Sequence, residues 1–152
     1  MTNYKLRVQP VPFNKRNDDI KRMVPQWSVL KRAITDAAAN TCNMCGARLN
    51  GGVYRPDVMC VWEYDTHTQE QRLINIVCAC EMCLITNDWI SAIASHRGAQ
   101  AKEHFKRVND CNDDAADAHI SQAMRNWSAR NSIMWSYNLS WINTHFEGTA
   151  WV

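Results

Sequence analysis

Apolar positions recur along this chain with changing periods, and each change of period marks an element. From Trp27 to Ala39 the apolar residues Trp27, Leu30, Ile34 and Ala37 or Ala38 recur at three and four, with Lys31, Arg32 and Asp36 between them. That spacing predicts an amphipathic helix with Ser28 near its start. Val58–Tyr64 is β-branched and aromatic, residues 72–79 are a second apolar run of strand length, and polar Asp65–Gln71 suits the connection of a hairpin. After it, Leu84/Ile85, Trp89/Ile90 and Ile93/Ala94 have helical spacing, so one helix is expected over Glu81–His96, stopping at Gly98.

Helical patterns follow over Ala101–Val108 and from Asp113 to about Met134. Asn112 is the expected N-cap of the latter, whose Ile120, Met124 and Trp127 share a face. Trp135, Leu139, Trp141 and Ile142 form a further apolar cluster, expected to dock on the hairpin unit. Core packing is the ordinary role of such tryptophans, stacking on unpaired bases the special one. Before Trp27 the pattern fades: Pro10, Pro12 and Pro25 among polar residues predict an extended arm with little regular helix, draped over the body. Asn50-Gly51-Gly52 reads as a turn.

Two cysteine pairs bracket the hairpin: Cys42-Asn43-Met44-Cys45 and Cys80-Glu81-Met82-Cys83. Thiolates two residues apart, in two such pairs, are the donor set of a tetrahedral structural zinc site. The 34 residues between Cys45 and Cys80 are a natural length for a two-stranded hairpin. Cys78 or Cys60 is a rival for one ligand position, and two structural pairs without metal are the bland alternative. Cys80 and Cys83 are preferred because they repeat the spacing of the first pair. Seven cysteines is an odd number, which with metal spacing argues against a disulfide framework and for a reducing, cytoplasmic setting. Cys60, Cys78 and Cys111 are then expected as buried thiols.

At 152 residues the chain suits a single domain, with residues 1–25 as arm, 26–98 as helix and zinc-framed unit, and 99–152 as the helical C-terminal part. No run of about 18 apolar residues predicts a membrane span, and the polar N-terminus has no signal-peptide core. The net charge of +2 hides an asymmetry. Residues 1–32 hold eight Lys/Arg against Asp18 and Asp19, leaving nine basic and thirteen acidic residues for the rest. Lys15, Arg16, Lys21, Arg22, Lys31 and Arg32 are therefore the candidate phosphate contacts, with a merely solvated basic surface as the alternative.

The residues Leu6–Phe13, the two cysteine pairs, Val61-Trp62-Glu63-Tyr64-Asp65, His104–Asn109 and Asn138–Ile142 together resemble the bacterial and phage HNH-endonuclease-like proteins. The resemblance covers most of the chain and implies an α+β fold: a ββα-metal core with a zinc knuckle, an N-terminal arm and helix, and C-terminal helices. It also implies a histidine base and metal ligands at defined positions. Here the chain departs from the family. Met59 and Cys60 stand where a His-Glu pair precedes the Val-Trp-Glu-Tyr-Asp string, and Leu84 and Asp88 stand at the two positions that are usually histidine. Neither Met59 nor Cys60 can act as an oxygen ligand or imidazole base; Asp88 could hold a metal ion, and Leu84 cannot.

These departures predict a zinc-stabilised, non-cleaving HNH-like protein that binds nucleic acid, DNA ahead of RNA, or a bacterial nucleic-acid-processing protein. A phage-encoded inhibitor or host-takeover factor in the bacterial cytoplasm fits that description. The alternative is a divergent HNH endonuclease using Glu63, Asp65, His67 or Asp88 with magnesium, manganese or nickel. His96, His104, His119 and His145 are expected to be surface or packing histidines.

Overall fold

The structure is a computed structural model that describes residues 4–49 and 56–146. It is mixed α+β. The element order is α1 (Asp19–Met23), α2 (Trp27–Ala37), β1 (Asp57–Asp65), β2 (Glu70–Ala79), α3 (Glu81–Asn87), α4 (Trp89–Ala94), α5 (Gly98–Asn109), α6 (Asp113–Arg130), β3 (Ser136–Asn138) and α7 (Ser140–His145). Three strands form one sheet in the order β1-β2-β3, with β1 and β2 antiparallel and β3 parallel to β2. No helix among the described residues is long and apolar enough to cross a membrane.

The hairpin is longer than its apolar run because Asp65 closes the turn: its Oδ1 accepts from the backbone N–H of His67 at 2.9 Å and of Thr68 at 3.3 Å. A bulge sits where Val61 pairs Asn75 and Trp62 pairs Leu73, leaving Ile74 as the extra residue. The extra residue reverses the inward-outward parity of β2. Leu73 and Ile76 are thereby buried in one cluster although they are three apart, and Ile74 is exposed.

Neighbouring residues of the hairpin face different cores. Val58 and Ile76 join Leu30 and Ile34 of α2 and Leu139 and Ile142 near the C-terminus, while Met59 and Val77 join Leu6, Leu49 and the cysteines. The expected docking of Leu139, Trp141 and Ile142 on the hairpin is thus present, and Trp135 meets Tyr64 edge-on at 5.0 Å. A third cluster unites Val8, Trp89, Ala101, Phe105 and Ala116.

The arm drapes over the body as expected, but it is not wholly extended, since Asp19–Met23 forms α1. It also explains why the expected helix over Glu81–His96 is two helices. The Gln9 N–H donates to the Asn87 carbonyl at 2.9 Å, and Asn87 Nδ2 donates to the Arg7 carbonyl at 2.9 Å. In an unbroken helix the Asn87 carbonyl would accept from Ser91 N–H. Ser91 N–H instead bonds the Asp88 carbonyl, and Asp88 leaves helical geometry with ψ 76°.

Other boundaries shift for local reasons. Gly98 begins α5 rather than stopping the preceding helix, which ends before His96 in the left-handed region, φ 58°. α5 accordingly runs wider than Ala101–Val108. Ser28 is the second residue of α2, near its start as expected, and Gln26 precedes the helix. α6 stops at Arg130 instead of near Met134, while its N-cap is Asn112, whose Oδ1 accepts from Ala115 N–H at 2.9 Å. Asn50-Gly51-Gly52 lies outside the described residues.

Candidate metal centre

The first cysteine pair is carried by a closed loop before β1. Thr41 and Arg48 form an isolated bridge, Cys42 N–H donates to the Ala47 carbonyl at 2.8 Å, and Gly46 N–H donates to the Cys42 carbonyl at 2.9 Å. That last contact requires Gly46 at φ +79°, a conformation natural to glycine. Asn43 ties this loop to β2: its N–H reaches the Cys78 carbonyl at 2.8 Å and its Oδ1 accepts from Cys78 N–H at 2.8 Å. The second pair spans the start of α3, where Cys80 is the N-cap and its sulfur accepts from Cys83 N–H at 3.4 Å.

Together these restraints bring Cys42, Cys45, Cys80 and Cys83 into one cluster, with all four sulfurs within 4.8 Å of one another. The Cys42–Cys83 and Cys45–Cys80 sulfur distances are both 3.7 Å. A disulfide needs about 2 Å. Four metal–sulfur bonds of about 2.3 Å in a tetrahedron place sulfurs about 3.8 Å apart, so the cluster fits a tetrahedrally held metal ion. The cysteines are free of disulfides; Cys42, Cys80 and Cys83 are buried and Cys45 is half-buried. The packed sulfurs do not ionise alike: hydrogen bonds from Cys80 and then Cys83 hold the Cys42 thiol low, while Cys80 is pushed up to about 11, chiefly by Cys42. A bound cation replaces these shared protons.

His104 on α5 is buried, as a packing histidine is expected to be, and it packs against this cluster. Its Nε2 lies 3.1 Å from Cys83 Sγ and its Nδ1 is 3.2 Å from Arg107 Nη2. A guanidinium can only donate, so Nδ1 accepts, Nε2 carries the proton, and His104 donates to the Cys83 sulfur. Burial and the Arg107 charge lower the imidazole pKa, which keeps this neutral tautomer. Its position 21 residues after Cys83 gave no spacing signal. Beside the centre lies a cavity of ≈ 740 Å³ lined by Arg48, Arg97, Arg107 and Cys45 among others. Glu81 and Glu103 line it as well, and Arg97 is paired with Glu81 at 2.5 Å.

Of the remaining cysteines, Cys78 is buried as expected, whereas Cys60 and Cys111 are half-buried. Burial and then Asp57 push the Cys60 thiol up to about 12. His119 packs in the third cluster, stacked on Phe105 and accepting from Val8 N–H at 3.0 Å, and His145 stacks on Trp141.

The alternative catalytic residues do not converge. Among the described residues, the four cysteines form the group of His, Cys, Asp or Glu with ligand atoms close enough to hold an ion. Glu63 and Asp65 are bound by Arg72, at 2.9 Å and 3.6 Å, and His67 is exposed at the hairpin turn. Asp88 lies elsewhere, its Oδ2 accepting from Asn17 Nδ2 at 2.7 Å and Ser91 Oγ at 2.5 Å. It lines a cavity of ≈ 260 Å³ with Met59, Cys60 and Leu84.

The candidate phosphate contacts divide into two sets. Arg22 is paired with Asp18 and Asp19, Lys31 with Asp57 at 3.0 Å, and Lys15 Nζ stands 4.8 Å from the Tyr137 ring centroid. Arg16, Lys21 and Arg32 are exposed, with no ion pair among the described residues. Compared with protein-family models, curated proteins and solved structures, the chain has no significant match.

Proposed function

We propose that this is a zinc-stabilised, non-cleaving HNH-like protein that binds nucleic acid through its basic N-terminal segment, with duplex DNA as the favoured partner. The observation that carries the proposal is the cavity between β1 and α3. Its lining residues Met59, Cys60, Leu84 and Asp88 are those at the positions where the resembling nucleases use a base and metal ligands. Methionine, a half-buried high-pKa thiol and leucine supply neither, and the Asp88 carboxylate is engaged by Asn17 and Ser91. The cysteine centre beside the hairpin retains all four donors. Loss of the chemistry with retention of the frame favours binding over hydrolysis.

Zinc is the ion that four thiolates in tetrahedral geometry favour, and here it would cross-link the 40–49 loop to α3. The exposed Arg16, Lys21 and Arg32 supply the phosphate contacts. Fluorescence anisotropy of a labelled duplex at rising salt tests this reading. Three phosphate contacts predict a slope of about −3 in log affinity against log salt, reduced when the three residues are neutralised. Absence of binding at low salt, or a slope indifferent to those substitutions, contradicts it.

A further inference from the structure

We propose that Cys45 and Cys80 are a redox site: hydrogen peroxide joins them in a disulfide, and the cysteine centre then gives up its ion. The inference rests on the zinc reading of the four cysteines and is independent of nucleic-acid binding. It starts from a difference between the two sides of the cluster.

Cys42 and Cys83 form the inner side, with their sulfurs 3.7 Å apart. They are 1% and 0% exposed, and His104 Nε2 stands 3.1 Å from the Cys83 sulfur. Cys45 and Cys80 form the outer side, with their sulfurs also 3.7 Å apart. Both line the cavity of ≈ 740 Å³, which Cys42 and Cys83 do not, and Cys45 is half-buried. A partly exposed thiolate with a second sulfur beside it is the arrangement that oxidants attack first. Glu81 and Glu103 share the cavity lining with Arg48, Arg97 and Arg107, a mixed set that gives a neutral peroxide free entry.

The Cys45 thiolate attacks one peroxide oxygen. An S–O bond forms, the O–O bond breaks, and the departing hydroxide takes a proton from solvent and leaves as water. The Cys80 thiolate then attacks the Cys45 sulfur, forming the S–S bond and breaking the S–O bond, and the second hydroxide leaves in the same way. The two sulfurs lose two electrons, and the peroxide gains them. For this the sulfurs close from 3.7 Å to about 2 Å. Cys42 and Cys83 then remain as half of a tetrahedral donor set, too few to hold the ion. The new bond joins the 40–49 loop to the start of α3, the same two segments that the ion would cross-link.

The test uses the full chain, purified with zinc under reducing conditions and treated with hydrogen peroxide beside a chromophoric zinc chelator. Free thiols are alkylated in denaturant with one label, and thiols freed by later reduction with a second, before peptide mass spectrometry. Release of about one ion per chain is expected, with the second label on Cys45 and Cys80 and the first on Cys42 and Cys83. A dithiol with zinc is expected to reverse both changes. Cys111→Ser removes a half-buried thiol outside the cluster, keeps all four ligands, and should leave release and labelling unchanged. The second label on Cys42 and Cys83, or its absence from Cys45 and Cys80, overturns the proposal. So do release blocked by Cys111→Ser and failure of the dithiol to restore zinc binding. Zinc held throughout peroxide treatment overturns this inference alone, whereas a chain that holds no zinc before peroxide is added removes the zinc reading and this inference with it.

Discussion

His104 Nε2 stands 3.1 Å from Cys83 Sγ, and Arg107 fixes its direction of donation by occupying Nδ1. A residue on α5 therefore completes the surroundings of a sulfur held at the start of α3. N–H donors to a coordinating thiolate spread its charge and orient it, so with an ion bound this contact would contribute to the energetics of the centre as well as to packing.

His104→Ala is accordingly expected to weaken zinc binding on the order of 10- to 100-fold, measured by competition with a chromophoric chelator. In the cobalt-substituted protein the thiolate charge-transfer band should shift as well, a change that loss of packing elsewhere would not cause. Unaltered affinity and spectrum would show that the contact is only structural.

Removal of a ligand should be more severe. Cys83→Ser is expected to abolish stoichiometric metal binding, and chelation of the wild-type protein to lower its Tm, because the ion would join two segments 41 residues apart in sequence at Cys42 and Cys83. Differential scanning fluorimetry with and without chelator reads the effect. An unchanged Tm would place the centre outside the stability of the fold.

The Asp19 carboxylate gives an acid-limb prediction. Burial raises its pKa, but the Arg16 N–H, the Tyr137 hydroxyl and Arg22 outweigh that and hold it below its ordinary value. The ionised form is therefore favoured by folding, a stabilisation complete above the ordinary carboxylate value of about 3.9 and lost as pH falls through the lower folded value. Asp19→Asn should reduce Tm near neutrality, and the difference from wild type should narrow below about pH 4. A constant difference across that range would exclude the ionic contribution.

Asn112→Ala removes the side-chain acceptor from Ala115 N–H and should destabilise the chain by about 1 kcal/mol in denaturant titration. No change in midpoint would mean that solvent replaces the cap.

The cap, the strands and the cysteine pairs were legible because each is written locally, in spacing or in the residue before a helix. The break at Asp88 was not: Leu84, Ile85, Trp89, Ile90 and Ile93 keep a helical period straight through it, and the carbonyl that would continue the helix is taken by Gln9, far away in sequence. β3 was equally hidden, since Ser136-Tyr137-Asn138 carries little strand preference and pairs with β2 only after α6 has returned the chain. His104 reaches the candidate site by the packing of α5 on α3, and the bulge at Ile74 depends on a partner strand. Charge counting found the basic segment but not which cations Asp18, Asp19 and Asp57 had already taken.

Binding without cleavage is the central claim, and one gel tests it most directly. Plasmid and single-stranded DNA are incubated with the zinc-loaded protein at low salt, with magnesium, manganese or nickel, then deproteinised beside an untreated aliquot. The account predicts retarded DNA before deproteinisation and intact DNA after it, with every ion. Metal-dependent nicking or cutting that disappears in Asp88→Ala would contradict it.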